Sequence, residues 1–239
     1  MHLSTAPGVQ IVTTDNDGED DDSDLAQRTT VMRGYDELAD AYADERDDAG
    51  PSDHLDQLLE DAPPGPVLDA GCGDGRTGLA PLHDDRLVLG LDVSVEQVRR
   101  AADVAPGRVL QGDMTALPVA DDAVAAIAAL YSVIHVPADQ HADVYAEFQR
   151  VLEPGGVALV TTGTENWAGR NDDWLDTGTA MEWDILGRTE SEARLHAAGF
   201  DVYDYVGVVD ALGEKQDSRL VDPDHPDADK LLLFARLED

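Results

Sequence analysis

A doubly wound α/β fold is what this chain predicts, and three observations carry the prediction. Apolar runs of strand length alternate with amphipathic runs of helix length. The first apolar run ends in a glycine-rich turn, Val67-Leu68-Asp69-Ala70-Gly71-Cys72-Gly73-Asp74-Gly75. The second, Leu87-Val88-Leu89-Gly90-Leu91, closes on an acid, Asp92. Alternating elements with apolar strands imply a parallel sheet covered on both faces. The 239 residues suffice for one such domain with a full core.

The elements follow in order. Residues 1–24 are expected to be a disordered acidic tail, because Asp15 to Asp24 holds seven acids in ten positions and no apolar periodicity. The domain is expected to fill 25–239, with lid helices over 25–62. Val31, Tyr35, Leu38, Ala39, Tyr42 and Ala43 recur at helical spacing and predict a helix from Leu25 to about Asp48. A second helix spans roughly Ser52 to Asp61, ended by Pro63-Pro64-Gly65-Pro66. Strands are predicted near 66–70, 87–92, 108–111, 124–130, 156–163, 201–208 and 230–237. Helices are predicted near 75–83, 94–104, 138–151 and 189–198, the second of them capped by Ser94. Residues 164–188 hold all three tryptophans, Trp167, Trp174 and Trp183, in a polar stretch. That stretch reads either as a cap over a pocket or as a loop anchored by buried indoles.

The glycines at alternate positions let the backbone turn tightly and approach a ligand closely. An acid at the end of the next strand suits two ribose hydroxyls. Together these features describe a nucleoside-cofactor site. A dinucleotide fingerprint has the spacing G-x-G-x-x-G and seats a pyrophosphate on the helix N-terminus. Here the spacing is G-x-G-x-G, flanked by Asp69 and Asp74. Those carboxylates would repel a diphosphate but tolerate a sulfonium, which favours S-adenosylmethionine. A ligand-free turn is the plainer alternative.

From about Tyr35 onward the chain resembles the class I S-adenosylmethionine-dependent methyltransferases. Five segments carry the likeness in order: Val67 to Gly75, Asp92, Gln111-Gly112-Asp113-Met114, Ala129 to Pro137, and Val151-Leu152-Glu153-Pro154-Gly155-Gly156. The fourth, through Tyr131-Ser132-Val133-Ile134-His135-Val136-Pro137, is similar to that of small members with a Tyr-Ser-Ile-Ile-His-Ile-Pro-like motif. The resemblance implies a Rossmann-like sheet of seven strands, mostly parallel, with one antiparallel strand supplied by Leu231-Leu232-Leu233-Phe234. It implies an enzyme that transfers a methyl group, with Asp69, Gly71, Cys72, Gly73, Asp92, Val93, Asp113, Met114 and Tyr131 holding the cofactor. Asp92 takes the ribose, and Asp113 with Met114 takes the adenine. The segment from Tyr35 to Tyr42 resembles the family's lid helix, which puts a tyrosine near the methionine end; an ordinary core stripe is the alternative. The small members also carry Asp-Trp-Leu, matched by Asp173-Trp174-Leu175, and a Met-Tyr-Trp-Ser-His-like stretch. That stretch reads Met181-Glu182-Trp183-Asp184-Ile185 here, without its tyrosine and histidine. Glu182 and Asp184 then suggest an anionic mouth for a neutral or cationic acceptor; two more acids on an acidic surface are the plainer alternative.

Methyl transfer is an in-line displacement that depends on orientation and needs a base only when the acceptor must lose a proton. His135, just after the fourth strand, is the candidate base, with a structural histidine or a wall of the methionine pocket as alternatives. No histidine has partners at metal-ligand spacing, so no metal is expected. Net charge is −35, with 51 acids against 16 lysines and arginines. The bias runs along the whole chain and suggests a salt-loving cytoplasmic protein, since salt screens self-repulsion. No basic stripe supports nucleic-acid binding. The longest uncharged stretch, Ala123 to Pro137, is too short to span a membrane, and Met1 to Gln10 lacks a signal-peptide pattern. A small-molecule acceptor is the expected partner; a cofactor-binding module without catalysis is the rival.

Overall fold

The computed structural model describes residues 22–45, 53–83, 86–209 and 218–238. The acidic stretch expected as a tail lies outside these residues up to position 21. The first helix, α1, covers Asp22–Glu37 and so begins three residues before the expected start. It bends at Leu38 into α2, Ala39–Glu45, where one continuous helix was expected. The remaining helices are α3 (Asp53–Asp61), α4 (Leu79–His83), α5 (Val95–Val104), α6 (His141–Val151) and α7 (Arg188–Ala197). The strands are β1 (Val67–Ala70), β2 (Val88–Asp92), β3 (Val109–Gln111), β4 (Val124–Ala129), β5 (Leu152–Gly163), β6 (Trp167–Trp174), β7 (Thr179–Ile185), β8 (Phe200–Val209), β9 (Arg219–Val221) and β10 (Lys230–Leu237).

The main sheet has eight strands in the order β3-β2-β1-β4-β5-β10-β8-β9. This corrects the expected seven. The additional strand, β9, is three residues long and pairs antiparallel with β8 at the sheet edge. Too short for its own apolar pattern, it forms because β8 offers unpaired backbone groups. The expected antiparallel strand is β10, which inserts between β5 and β8 and runs against both. Two antiparallel strands, β9 and β10, therefore replace the expected one.

Strands β1, β2 and β4 are buried at every position, as parallel strands covered on both faces must be. Their side chains alternate between two cores. Leu68, Leu89, Leu91 and Ile127 meet Val144, Tyr145 and Phe148 of α6 on one face. Val67, Val88, Ala126 and Ala128 meet Leu55, Leu58, Leu79 and Ala101 of α3, α4 and α5 on the other. Each fully buried aliphatic side chain contributes about 1.5–3 kcal/mol. Ser94 caps α5 as expected, its side chain accepting from the Gln97 N–H.

Chain order reverses between β1 and β4, since the chain runs outward through β2 and β3 before returning. A crevice opens at the carboxyl ends of strands flanking such a switch point. The tryptophan-bearing segment is a separate two-stranded antiparallel hairpin, β6–β7. It packs under α1, and Gly34 makes that approach possible: a Cβ there would lie 2.7 Å from Met181 Cε and 2.9 Å from the Ala180 carbonyl.

Candidate functional site

The turn after β1 is tied to β2 by its backbone. The Gly71 and Cys72 N–H groups both donate to the Leu91 carbonyl, at 2.7 and 2.9 Å. Gly71 has φ +81°, and a Cβ on it would fall 2.2 Å from Ser132 Cβ, so only glycine fits. Ser132 in turn donates to the Ala70 carbonyl at 2.7 Å. The turn is thus clamped between β2 and the loop after β4.

Asp92 closes the arrangement. Its Oδ2 accepts from Gly73 N–H at 2.8 Å and its Oδ1 from Ser94 N–H at 2.9 Å. Each oxygen keeps a further lone-pair site for a ligand hydroxyl. Burial pushes this carboxyl up to about 6 despite those N–H bonds, with the nearby charge of Asp36 adding to the rise. A Cβ on Gly73 would enter open space. That space is a cavity lined by Gly71, Gly73, Asp92, Val93, Asp113, Met114, Tyr131 and His135.

Of the residues read as cofactor ligands, Asp69 and Cys72 do not reach this cavity. Asp69 lies behind the turn at 2% exposure. Its carboxylate sits beneath Gly78, and it accepts the backbone N–H of Leu79. Burial and then the charge of Asp92 push it up to about 7. Cys72 packs its sulfur toward Gly90 among the apolar residues of α4. Burial and the surrounding carboxylates push its thiol far above the ordinary range. The cause is the pleat of the strand: Asp69 and Ala70 point to opposite faces, and the positive φ angles of Gly71 and Gly73 fold Cys72 inward.

At the position read as adenine-binding, Asp113 Oδ1 accepts from the N–H and the hydroxyl of Thr115, both at 2.8 Å. Its Oδ2 pairs with Arg28 at 3.2 Å. Arg28 also bonds Gln140. Arg28 and Val31 line the cavity from α1: Val31 was read only as part of the helix's apolar face, and Arg28 had no signal in the sequence, because its partners lie far along the chain.

The lid reading of Tyr35 and Tyr42 places both at the junction of this cavity with a second, wider one. Tyr35, Tyr42, Tyr131 and His135 line both. The second is an open cleft of about 910 Å³ that includes Trp167, Trp174 and Trp183. Tyr131 holds a left-handed backbone, φ +53°. For a non-glycine residue that costs about 1–3 kcal/mol and is typical of functional loops. His135 Nδ1 lies 2.9 Å from the Glu182 backbone carbonyl, and Nε2 lies 2.8 Å from Tyr35 Oη. A carbonyl only accepts, so Nδ1 carries a proton, and in the neutral ring Nε2 accepts from the tyrosine hydroxyl.

The hairpin's alternation separates the two acids read at the mouth from the side chains of Trp183 and Ile185 that line the cleft. Trp183, Met181 and Ile185 point to one face, and Glu182 and Asp184 to the other. Glu182 bonds Arg170, and Asp184 accepts the Ala138 N–H at 2.7 Å. Among the described residues no group of acids, histidines and cysteine is placed to hold a metal ion.

Residues 67–156 match a methyltransferase-domain family. A probable S-adenosylmethionine-dependent methyltransferase of Mycolicibacterium smegmatis is 32% identical over 149 residues, 62% of this chain and 56% of that protein. The matched segment thus spans little more than half of that relative's length. Among solved structures the chain is similar to the Burkholderia thailandensis 1,6-didemethyltoxoflavin-N1-methyltransferase, with a TM-score of 0.65 at 19% identity over 98% of this chain and 97% of that one. It is also similar to the cyclase SpnF, with a TM-score of 0.62 at 22% identity over 89% and 97% of the two chains. These likenesses establish a mixed α/β Rossmann-like fold. Because that fold serves both a methyltransferase and a cyclase, the reaction is argued from the site.

Proposed function

We propose that this chain is an S-adenosylmethionine-dependent methyltransferase acting on a small-molecule acceptor. The observation that carries the reading is the cradle formed by Gly71, Gly73 and Asp92 at the switch point, with Asp113 beyond it. The cradle fits the cofactor. Asp92 has lone pairs left for two ribose hydroxyls, and Gly73 opens its backbone to the space a ligand would fill. The cavity does not fit a dinucleotide. Its arginine, Arg28, is paired with Asp113, and Asp92 adds a second carboxylate where a diphosphate would need cations.

In this reading the Gly71–Gly73 backbone bounds the methionine end, Val93 flanks the ribose held by Asp92, and Asp113 with Met114 meets the adenine. Asp69 and Cys72 support the turn from behind and touch no ligand. Bound S-adenosylmethionine supplies an electrophilic sulfonium methyl. The protein's part is orientation, exclusion of water by α1 and α2, and relief of the acceptor's proton near Tyr131 and His135. We read the charge of −35 as an adaptation to high salt and place the protein in the cytoplasm. No helix among the described residues is long and apolar enough to cross a membrane.

Calorimetric titration in molar salt with S-adenosylhomocysteine, and separately with NADH, tests the reading. S-adenosylhomocysteine is expected to bind, and Asp92→Ala to abolish binding while the far-ultraviolet spectrum stays native. NADH binding alone would replace methyl transfer with a redox reading.

A further inference from the structure

We propose that the second cleft takes a flat, uncharged aromatic acceptor bearing an acidic O–H or N–H, and that Tyr35 Oη receives its proton with His135 behind it. The inference deepens the methyl-transfer reading and rests on it for the word acceptor; the proton path rests on the geometry alone.

Aromatic rings make one side of the cleft. Tyr42 meets Tyr35 at 5.2 Å between centroids, Tyr35 meets His135 at 5.3 Å, and His135 meets Trp183 at 5.7 Å. Trp174 meets Tyr35 at 6.0 Å and Trp183 at 5.2 Å, and Trp167 meets Trp183 at 6.1 Å. The rings come from α1, α2, the loop after β4 and the hairpin. The rest of the lining includes residues 163–166 and 228–230, none of them aromatic. Tyr35 stands edge to face with Tyr42, His135 and Trp174, at 84°, 88° and 88°, so the cleft offers an aromatic guest both faces and edges to stack on.

The charges of the cleft oppose an anion. Arg170 is bonded to Asp172 and Glu182, and Lys230 to Asp229 at 2.8 Å. Glu165 adds a further carboxylate to the lining. An acceptor with an acidic O–H or N–H therefore enters in its protonated form and loses that proton inside. Tyr35 lines both cavities, and its Oη lies 2.8 Å from His135 Nε2, to which it donates in the neutral ring. The acceptor's O–H or N–H bond breaks, and its proton passes to Tyr35 Oη as the tyrosine's own proton passes to Nε2. The bonding pair stays on the acceptor as its nucleophilic lone pair. The imidazolium so formed keeps its Nδ1–H bond to the Glu182 carbonyl, and its charge offsets the acceptor's.

The probe is 4-nitrophenol, whose phenolate absorbs apart from the phenol, at a pH where the free compound is mostly protonated. Its saturated counterpart, 4-nitrocyclohexanol, is the control. The folded chain is expected to bind the phenol about tenfold more tightly than the control and to enrich the bound phenolate. Tyr35→Phe and His135→Gln are each expected to cut that phenolate-to-phenol ratio about tenfold or more while still binding the phenol. Equal affinity for the saturated control, or a bound phenol that stays protonated in the unaltered chain, would overturn the proposal. A chain that ionises the phenol yet binds no S-adenosylhomocysteine keeps the proton path and overturns only the methyl-transfer reading.

Discussion

Asp69 and Asp92 lie toward the carboxyl ends of adjacent strands, yet their surroundings differ. Asp92 receives two backbone N–H bonds and rises to about 6. Asp69 has one such bond, leaves Oδ2 without a hydrogen-bond partner, and rises to about 7. A carboxyl whose folded-state pKa lies above the unfolded value favours the folded protein only while protonated. Its cost appears as pH climbs past about 4 and is complete above about 7. Asp69→Asn keeps an acceptor for Leu79 and removes the charge. We expect it to raise the melting temperature at pH 8 and to change little at pH 4, with the high-pH gain reaching at most about 4 kcal/mol. Equal effects at both pH values in thermal melts would contradict this account. The same pair marks the limit of residue-level reading. The sequence identifies which acids flank the turn, but the pleat that turns Asp69 away from the cavity depends on where the strand ends.

Polar contacts help to fasten the N-terminal helices to the domain. Asp36 Oδ1 accepts the Ser94 hydroxyl at 2.6 Å and the Glu96 N–H at 3.0 Å. Arg100 donates to the Ala39 carbonyl at 3.1 Å and pairs with Asp40 at 2.6 Å, and Arg76 donates to the Ala43 carbonyl at 3.1 Å. Val31, Leu38 and Met181 form a buried apolar patch there, with Tyr35, Tyr42, Trp174 and Trp183 packed against it. Arg100→Ala removes two of these fastenings, worth about 1 kcal/mol together. We expect faster amide exchange across residues 22–45 with the sheet unchanged, and S-adenosylhomocysteine affinity weakened about fivefold at that cost. Unaltered exchange in α1 and α2 would show that the apolar patch alone holds them. Elements with strong local signals were legible: β10 has the predicted bounds, and Ser94 caps α5. Residues 75–83 read as a helix, but Gly75 at φ +86° and the Asp74–Arg76 contact keep the chain in turns until Leu79. The hairpin was read as a cap or loop, because Trp167-Ala168-Gly169-Arg170-Asn171-Asp172-Asp173 has turn composition and pairs only through its partner strand.

At the scale of the molecule, 51 acids face 16 basic residues, and several arginines serve as internal fasteners. Arg150 bonds Glu147 and Asp121 as well as the carbonyls of Leu117 and Val119. Arg86 donates to the carbonyls of Leu59, Pro63 and Gly65. The remaining negative charge repels itself over a Debye length of about 10 Å at 0.1 M salt and about 3 Å at 1 M. We therefore expect the melting temperature to rise steeply between those two salt concentrations, in sodium and potassium chloride alike; a flat response would remove the high-salt reading. Net charge and cofactor motifs were open to sequence reading because each is a sum or a local pattern. The meeting of Tyr35 with His135 was not, because it joins residues a hundred positions apart through a helix and a turn. The confinement of every tryptophan to one hairpin has an optical consequence. Indole emission, ordinarily an average over a whole protein, is here a signal from a single wall. The chain carries a built-in lamp beside its cleft, and the colour and brightness of that lamp report what lies against the hairpin and leave the rest of the molecule dark.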